Sequence, residues 1–281
     1  MNVGITVPLP AYYVDVALIA QKAESLGFES LWCAEHPIMP VHSSSPFPGS
    51  QDGVIPESYS HFVDPFIALA RASGVTKTIK LGTGVSLIPE RNPLILAKEI
   101  STLDLFSGGR FILGIGTGWL KEETDIMGGD FEHRWTQTRE AILAMKKLWT
   151  TEEAEYHGRY YDFPPVKSFP KPTQKPYPPL IFGGMAKQVL KRIVAYGDGW
   201  LPNRINPQEL RKKRLELNTL AVEAGRDPAS LTISVHGQPA QRELVQSFLT
   251  SGADRVIIRT MPRKTIGAMA KQLESIAKEL L

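Results

Sequence analysis

Two hydrophobic rhythms alternate along the chain. Short β-branched or apolar runs near residues 2–8, 30–35, 79–87, 110–118, 180–184, 199–203, 231–237 and 255–260 read as strands. Between and after them, at 15–27, 64–76, 93–107, 135–150, 186–197, 206–225, 242–252 and 264–281, apolar residues recur at helical spacing. The last segment places Ile266, Met269, Ala270, Leu273, Ile276, Ala277 and Leu280 at i, i+3, i+4 and i+7, which is one buried helix face. The first repeats the stripe at Val16, Ile19, Ala20, Ala23 and Leu26. Asp64-Pro65 and Asn92-Pro93 each put an N-cap residue before a proline at the first helical position, and Gly27, Gly197 and Gly252 fall where glycine closes a helix. Strands in strict alternation with helices predict an α/β fold, a (β/α)8 TIM barrel occupying residues 1–281 as one domain, over an open doubly wound sheet. In such a barrel the chemistry gathers at the carboxyl ends of the strands.

Two connections exceed a turn. Residues 36–63 follow the second strand, and residues 151–179 precede the fifth with seven prolines from Pro164 to Pro179. The first leaves from the catalytic face and is read either as a lid or substrate wall or as a solvated insertion. Within the second, HGRYYDFPP suits a small strand pair or an oligomer contact.

Composition narrows the function. The 281 residues are 42% hydrophobic, with 32 basic against 29 acidic side chains and a net charge of +3, which gives no electrostatic case for nucleic acid or an anionic membrane. The lone cysteine, Cys33, excludes a disulfide framework and a multi-thiolate metal site. The opening MNVGITVPLPAYYVDVALIAQ has no basic stretch and carries Asp15 inside its apolar run, so a cytoplasmic protein is expected.

The predicted strand ends are mostly small or apolar. They offer Glu35 and His36, the GTGVS run at 82–86, Gly114, Gly116, Thr117, Gly118 and Trp119, Gly183-Gly184, Trp200 and Asn203, His236, and Arg259. No lysine stands there for Schiff-base chemistry, and Glu35, His36 and His236 lack metal-ligand spacing, so no metal is expected. Few ionisable groups among many glycines and aromatics suit a flat cofactor that brings its own chemistry. Gly183-Gly184-Met185 ahead of a helix at Ala186 is either a phosphate-binding turn or only a tight turn. Glycine inside the third and fourth strands predicts close approach of some group to the backbone, or a bulge.

The run LGTGVSLIPERNPLILAKEISTLDLFSGGRFILGIGTGW (81–119) resembles the core of the luciferase-like flavin and coenzyme F420 oxidoreductases, and SLWCAEH (30–36), VDPFIALA (63–70) and LIFGGMAKQVLKRIVAYGDGWLPN (180–203) match in order. The resemblance implies a barrel that binds reduced F420 or FMN at the strand carboxyl ends, F420 being slightly preferred on the chain's length and its PERNPLILAKEISTLDLFSGGR stretch. It implies a non-prolyl cis peptide at Gly84-Val85 against the ring, a phosphate on Gly183-Gly184-Met185, and Gly118, Trp119, Gly199 and Trp200 beside the cofactor. Glu35 and His36 correspond to the catalytic pair: His36 as proton donor or substrate ligand, Glu35 to orient it or to bond a neighbouring backbone amide. A homodimer is a further implication.

Where F420-dependent sugar-phosphate dehydrogenases carry a catalytic Glu after the GTG of the fourth strand, this chain has Trp119, which favours a flatter, more apolar substrate. The function implied is reduction or monooxygenation of an apolar small organic molecule. Two alternatives stand beside it. One is a non-redox isomerase or lyase holding a phosphorylated metabolite on Gly183-Gly184 with His36 or His236 as acid and base, and the other is a non-catalytic binding protein.

Overall fold

The computed structural model describes residues 1–8 and 13–281. In chain order its elements are β1 (Val3–Thr6), α1 (Val16–Ser25), β2 (Ser30–Cys33), α2 (Pro65–Ser73), β3 (Lys80–Thr83), β4 (Ser86–Leu87), α3 (Pro93–Ser107) and β5 (Phe111–Gly116). There follow α4 (Lys121–Ile126), α5 (Arg134–Thr150), β6 (Ala154–His157), β7 (Asp162–Val166), β8 (Leu180–Gly183), α6 (Val189–Tyr196) and β9 (Gly199–Leu201). The chain ends with α7 (Pro207–Glu223), β10 (Thr232–Gln238), α8 (Arg242–Thr250), β11 (Arg255–Arg259) and α9 (Ile266–Leu280).

Parallel pairing runs β1–β2–β3–β5–β8–β9–β10–β11 and returns to β1, so the sheet closes into the predicted eight-strand TIM barrel. Thr6 pairs with both Trp32 and Arg259, and Cys33 pairs with Thr83. Residues just past these positions therefore share one rim. The proline-led starts form as predicted: Asp64 accepts from the Ile67 amide and Asn92 from the Leu94 amide, both at 2.9 Å.

The lumen explains several strand glycines. Trp32 is fully buried inside the barrel with Ile112, Ile181, Leu201 and Ile257. A Cβ on Gly82 would lie 2.4 Å from the indole, and one on Gly4 would lie 3.1 Å from its Nε1. Two glycines thus make room for one large ring, whose N–H donates to Ser30 Oγ at 2.8 Å. Burying a side chain of this size removes about 150–250 Å² from water, worth about 4–6 kcal/mol. The groups that approach the strand glycines are this protein's own, since Gly114 faces the Thr83 carbonyl and Gly116 faces Val85.

The third strand is broken: β3 and β4 both pair with β5, and between them the Gly84–Val85 peptide is cis, as the resemblance implies. Three details depart from the sequence expectation. Helix α6 begins at Val189 instead of Ala186, because a tight turn with the Val189 amide on the Ala186 carbonyl intervenes. Gly197 is extended (φ −120°) and is not a left-handed helix stop; a Cβ there would meet the Phe182 ring at 2.5 Å, so packing demands the glycine. A short helix, α4, follows β5 where none was predicted. In the second insertion, β6 and β7 form an antiparallel pair across HGRYYDFPP.

Lumen packing has two measurable consequences. Gly82→Ala drives a methyl into the Trp32 ring and should cost about 1–3 kcal/mol in chemical denaturation. Gly267→Ala, on the exposed first turn of α9 where an added Cβ meets nothing within 4 Å, should stabilise by about 0.4–1 kcal/mol.

Candidate active site at the carboxyl rim

His36 lies three residues past β2, and α4 reaches it from beyond β5. Its Nδ1 is 2.7 Å from Glu123 Oε2, with side-chain exposures of 6% and 0%. Glu123 was not foreseen. Nothing in the sequence of its segment, KEETDI, separates one carboxylate from the others, and only the fold turns Glu123 inward. The expectation that Glu35 orients His36 is corrected, because Glu123 holds the ring.

Glu35 faces away into the wall. Its Oε2 accepts from Ser86 Oγ at 2.8 Å and from the Leu87 amide at 2.6 Å, and its Oε1 accepts from Arg91 Nε at 2.7 Å. Arg91 also reaches Asp64 at 2.5 Å and Glu99 at 3.3 Å. Burial lowers the Arg91 pKa and the Glu35 and Asp64 carboxylates raise it, the net direction being upward. Glu35 is therefore the backbone-amide ligand that the sequence left as one option. Its engaged oxygens make it a fastening group for β4 instead of a catalytic one.

The first insertion closes over His36 with aromatics. Tyr59 and Phe62 lie 5.2 and 6.1 Å from the imidazole and Trp119 lies edge-on at 5.8 Å, while Phe47 packs on both Tyr59 and Trp119. Burial pushes the Tyr59 hydroxyl up, with Arg259 acting in the opposite direction. Glu122, beside Glu123 on α4, straps the insertion down. It accepts from the Ser44 amide and from the hydroxyls of Ser44 and Ser45, each at 2.7 Å. These bonds hold its carboxyl below the usual range.

The predicted cofactor residues separate into two groups. Gly84 and Val85 sit at the top of the lumen, where Val85 packs on the Trp32 cluster and its methyls lie 2.6 Å from where Cβ atoms on Gly116 and Gly183 would fall. An apolar shelf results. Facing Gly84, half-buried His236 leaves Nε2 without a partner among the described residues, 3.0 Å from where a Gly84 Cβ would be. Burial pushes the His236 pKa down to about 4, so its imidazole is neutral. Gly184 is left-handed (φ +86°) with open space where a Cβ would point. Its own amide donates to the Leu201 carbonyl at 3.2 Å, but the amides of Met185 to Gln188 have no hydrogen-bond partner among the described residues. That short row of free N–H groups leading into α6 suits a phosphate, and the shelf with an unpartnered nitrogen beside it suits a flat heteroaromatic ring.

The remaining residues act indirectly. Trp200 is 1% exposed and donates to the Gly184 carbonyl at 2.9 Å, so it anchors the turn without reaching the cleft. Gly199 is buried where a Cβ would strike Thr232, which makes it a strand-packing residue. Gly118 is left-handed (φ +78°), and a Cβ there would meet Thr124 Oγ1 at 2.8 Å and Glu90 Oε1 at 3.0 Å. Burial pushes the Cys33 thiol up to about 12, which removes it as a nucleophile. Among the described residues, no three His, Cys, Asp or Glu side chains gather as a metal site.

The pattern of the luciferase-like monooxygenase family matches residues 8–275. The chain belongs to that family. An uncharacterized protein of Mycobacterium tuberculosis (strain ATCC 25618 / H37Rv) is 32% identical over 283 residues, spanning 100% of this chain and 99% of its own length. Two solved structures share the fold of this luciferase-like protein. The coenzyme F420-dependent tetrahydromethanopterin reductase of Methanopyrus kandleri has a TM-score of 0.77 at 20% identity, covering 99% of this chain and 98% of its own. The oxygenating constituent of 3,6-diketocamphane monooxygenase of Pseudomonas putida, solved with FMN, has a TM-score of 0.76 at 17% identity, covering 100% and 98%.

The strap on the insertion can be cut separately. Glu122→Ala should speed amide exchange at Ser44 and Ser45 and open residues 41–55 to protease, while the barrel's unfolding free energy changes by no more than about 0.5 kcal/mol, as for other surface changes. Because the carboxyl's pKa is lowered by folding, the strap holds above the ordinary carboxylate range and loosens as pH falls through that lowered value.

Proposed function

We propose that this protein is an oxidoreductase that uses reduced F420 or FMN to reduce or monooxygenate an apolar small organic molecule. One observation carries the reading. On the same carboxyl rim as the Val85 shelf, Phe47, Tyr59, Phe62 and Trp119 cluster around the His36 imidazole, which a buried carboxylate holds from behind. Apolar walls bind an uncharged, flat substrate and exclude water, and the few polar atoms fix its orientation.

Bound on the shelf, the reduced ring would supply hydride or activate dioxygen. The chain's own residues have narrower tasks. The free amides at 185–188 would hold the cofactor phosphate, and Val85 would support the ring face. Neutral His236 would offer Nε2 to a polar ring atom. His36 would exchange a proton with the substrate through Nε2, since Nδ1 is committed to Glu123. F420 is preferred to FMN on the sequence stretch at 89–110, and structural relatives of both kinds support the pair. The near balance of 32 basic and 29 acidic side chains supports a small molecule over a nucleic acid as partner. No described helix is long and apolar enough to cross a membrane. A cytoplasmic homodimer completes the proposal.

Titration of the purified protein with F420, FMN and FMNH2, followed by absorbance and fluorescence, tests it. Binding of at least one at micromolar level is expected; failure of all three below about 1 mM, or capture of inorganic phosphate alone, overturns the cofactor assignment. His36→Ala should retain cofactor binding and lower turnover by about 10²–10⁴-fold.

A further inference from the structure

Behind His36 lies a second carboxyl, inside the family-like run at 81–119 but given no role by it. Glu90, on the 3₁₀ turn Ile88–Glu90, is 3% exposed. Its Oε1 accepts from Thr124 Oγ1 at 2.8 Å, and its Oε2 has no partner among the described residues. Glu123 is in a matching position: Oε2 meets His36 at 2.7 Å, and Oε1 is buried and unpartnered. Two neighbouring carboxylates buried together cannot both stay charged without a cation. The cation that acts on Glu90, Arg91, is already shared among Glu35, Asp64 and Glu99.

The groups acting on Glu90 are Glu123 from α4, Glu35 from the end of β2, and Arg91 from the following residue. Helix α5, packed on the same turn, contributes Gln137, which donates to the Pro89 carbonyl at 3.5 Å. Its Arg134 is turned onto Phe131, at 3.9 Å from that ring's centre. Around His36 itself stand Glu123, Tyr59, Phe62 and Trp119.

We propose that Glu123 and Glu90 form a buried unit carrying a single negative charge, in which Glu90 keeps the proton and Glu123 keeps the charge that fixes His36 as its Nδ1–H tautomer. Geometry makes the division. Glu123 faces a ring nitrogen that can donate to it, whereas Glu90 faces only the Thr124 hydroxyl. Burial, and then the Glu123 charge, push Glu90 up to about 8, in line with this assignment. With Nδ1–H committed, the Nε2 lone pair points to the cleft, and a proton taken up or released there leaves the Nδ1–H···Glu123 bond in place. Glu123 and Glu90 are positioning residues, and their relevance to turnover rests on the His36 role proposed above.

Histidine 15N and glutamate 13C labelling of the cofactor-free protein tests the unit directly. A carboxyl resonance absent from Glu90→Gln should titrate near pH 8 in the wild type. Glu123→Gln should move that titration down, because a repelling charge is gone; Thr124→Val should move it up, because the charged form loses a hydrogen bond. The His36 nitrogens should report the Nδ1–H tautomer in the wild type and in Glu90→Gln, and a redistributed tautomer in Glu123→Gln. A Glu90 carboxyl ionised at pH 6, or a tautomer disturbed by Glu90→Gln and not by Glu123→Gln, overturns the proposal. In turnover, Glu123→Gln should lower kcat with KM nearly unchanged, which a merely structural role would not do. If His36→Ala leaves turnover intact while the resonance pattern holds, the catalytic reading of His36 fails and the one-charge unit stands.

Discussion

The break in the third strand at the carboxyl rim depends on how Glu35 is satisfied. Its buried carboxylate takes the Ser86 hydroxyl and the Leu87 amide on one oxygen and Arg91 on the other, so one side chain from the second barrel strand fixes the chain where the third strand breaks. That segment carries Val85, the shelf, at one end and Glu90, the protonated neighbour of Glu123, at the other. Breaking a buried pair by removing one partner costs roughly 3–5 kcal/mol, because the other charge is left uncompensated in a poorly polarisable surround. The chain therefore has strong reason to keep the segment in one arrangement. Arg91 links the same group to Asp64, the N-cap of α2, and so ties the rim to the helix layer.

Helix α4 supplies the second half of the site through two adjacent carboxylates with opposite surroundings. Glu122 is exposed, meets hydroxyls and an amide of the first insertion, and is stabilised as an anion. Glu123 is buried and meets an imidazole. One helical turn thus sets both the aromatic wall and the histidine inside it. The contrast follows from solvent access: hydrogen bonds in water hold a surface loop at little cost, whereas a buried charge is tolerated only beside a committed partner.

Much of the barrel was legible because its signals are local. The apolar stripe of α9, the Asp-Pro and Asn-Pro helix starts and the β-branched runs depend on neighbours a few residues away, and the structure keeps them with small changes at the ends. Local signals misled where a distant partner decided the outcome. Gly197 resembled a helix stop and is a gap left for Phe182; Gly82 resembled a bulge or ligand position and is a gap left for Trp32. Trp200 resembled a cofactor contact and is the donor that anchors Gly184. The candidate site was half legible. His36, Gly84-Val85 and Gly183-Gly184-Met185 stand out by residue type and place, whereas Glu90 carries no role in the run that holds it and Glu123 is one of several acids in KEETDI.

By itself the sequence determined the alternation of strands and helices, the closure this alternation favours, the family, and the scarcity of ionisable groups at the rim. These follow from spacing and residue type, which act over a few residues. Only the tertiary structure decided which carboxylate meets His36, which one gives up its charge, and which glycines exist to admit a ring. Those outcomes turn on burial and on partners 30 to 90 residues apart, such as His36 with Glu123 across 87 positions and Glu90 with Thr124 across 34. A charge's protonation depends on the dielectric and the neighbours around it, and neither exists until the chain has closed.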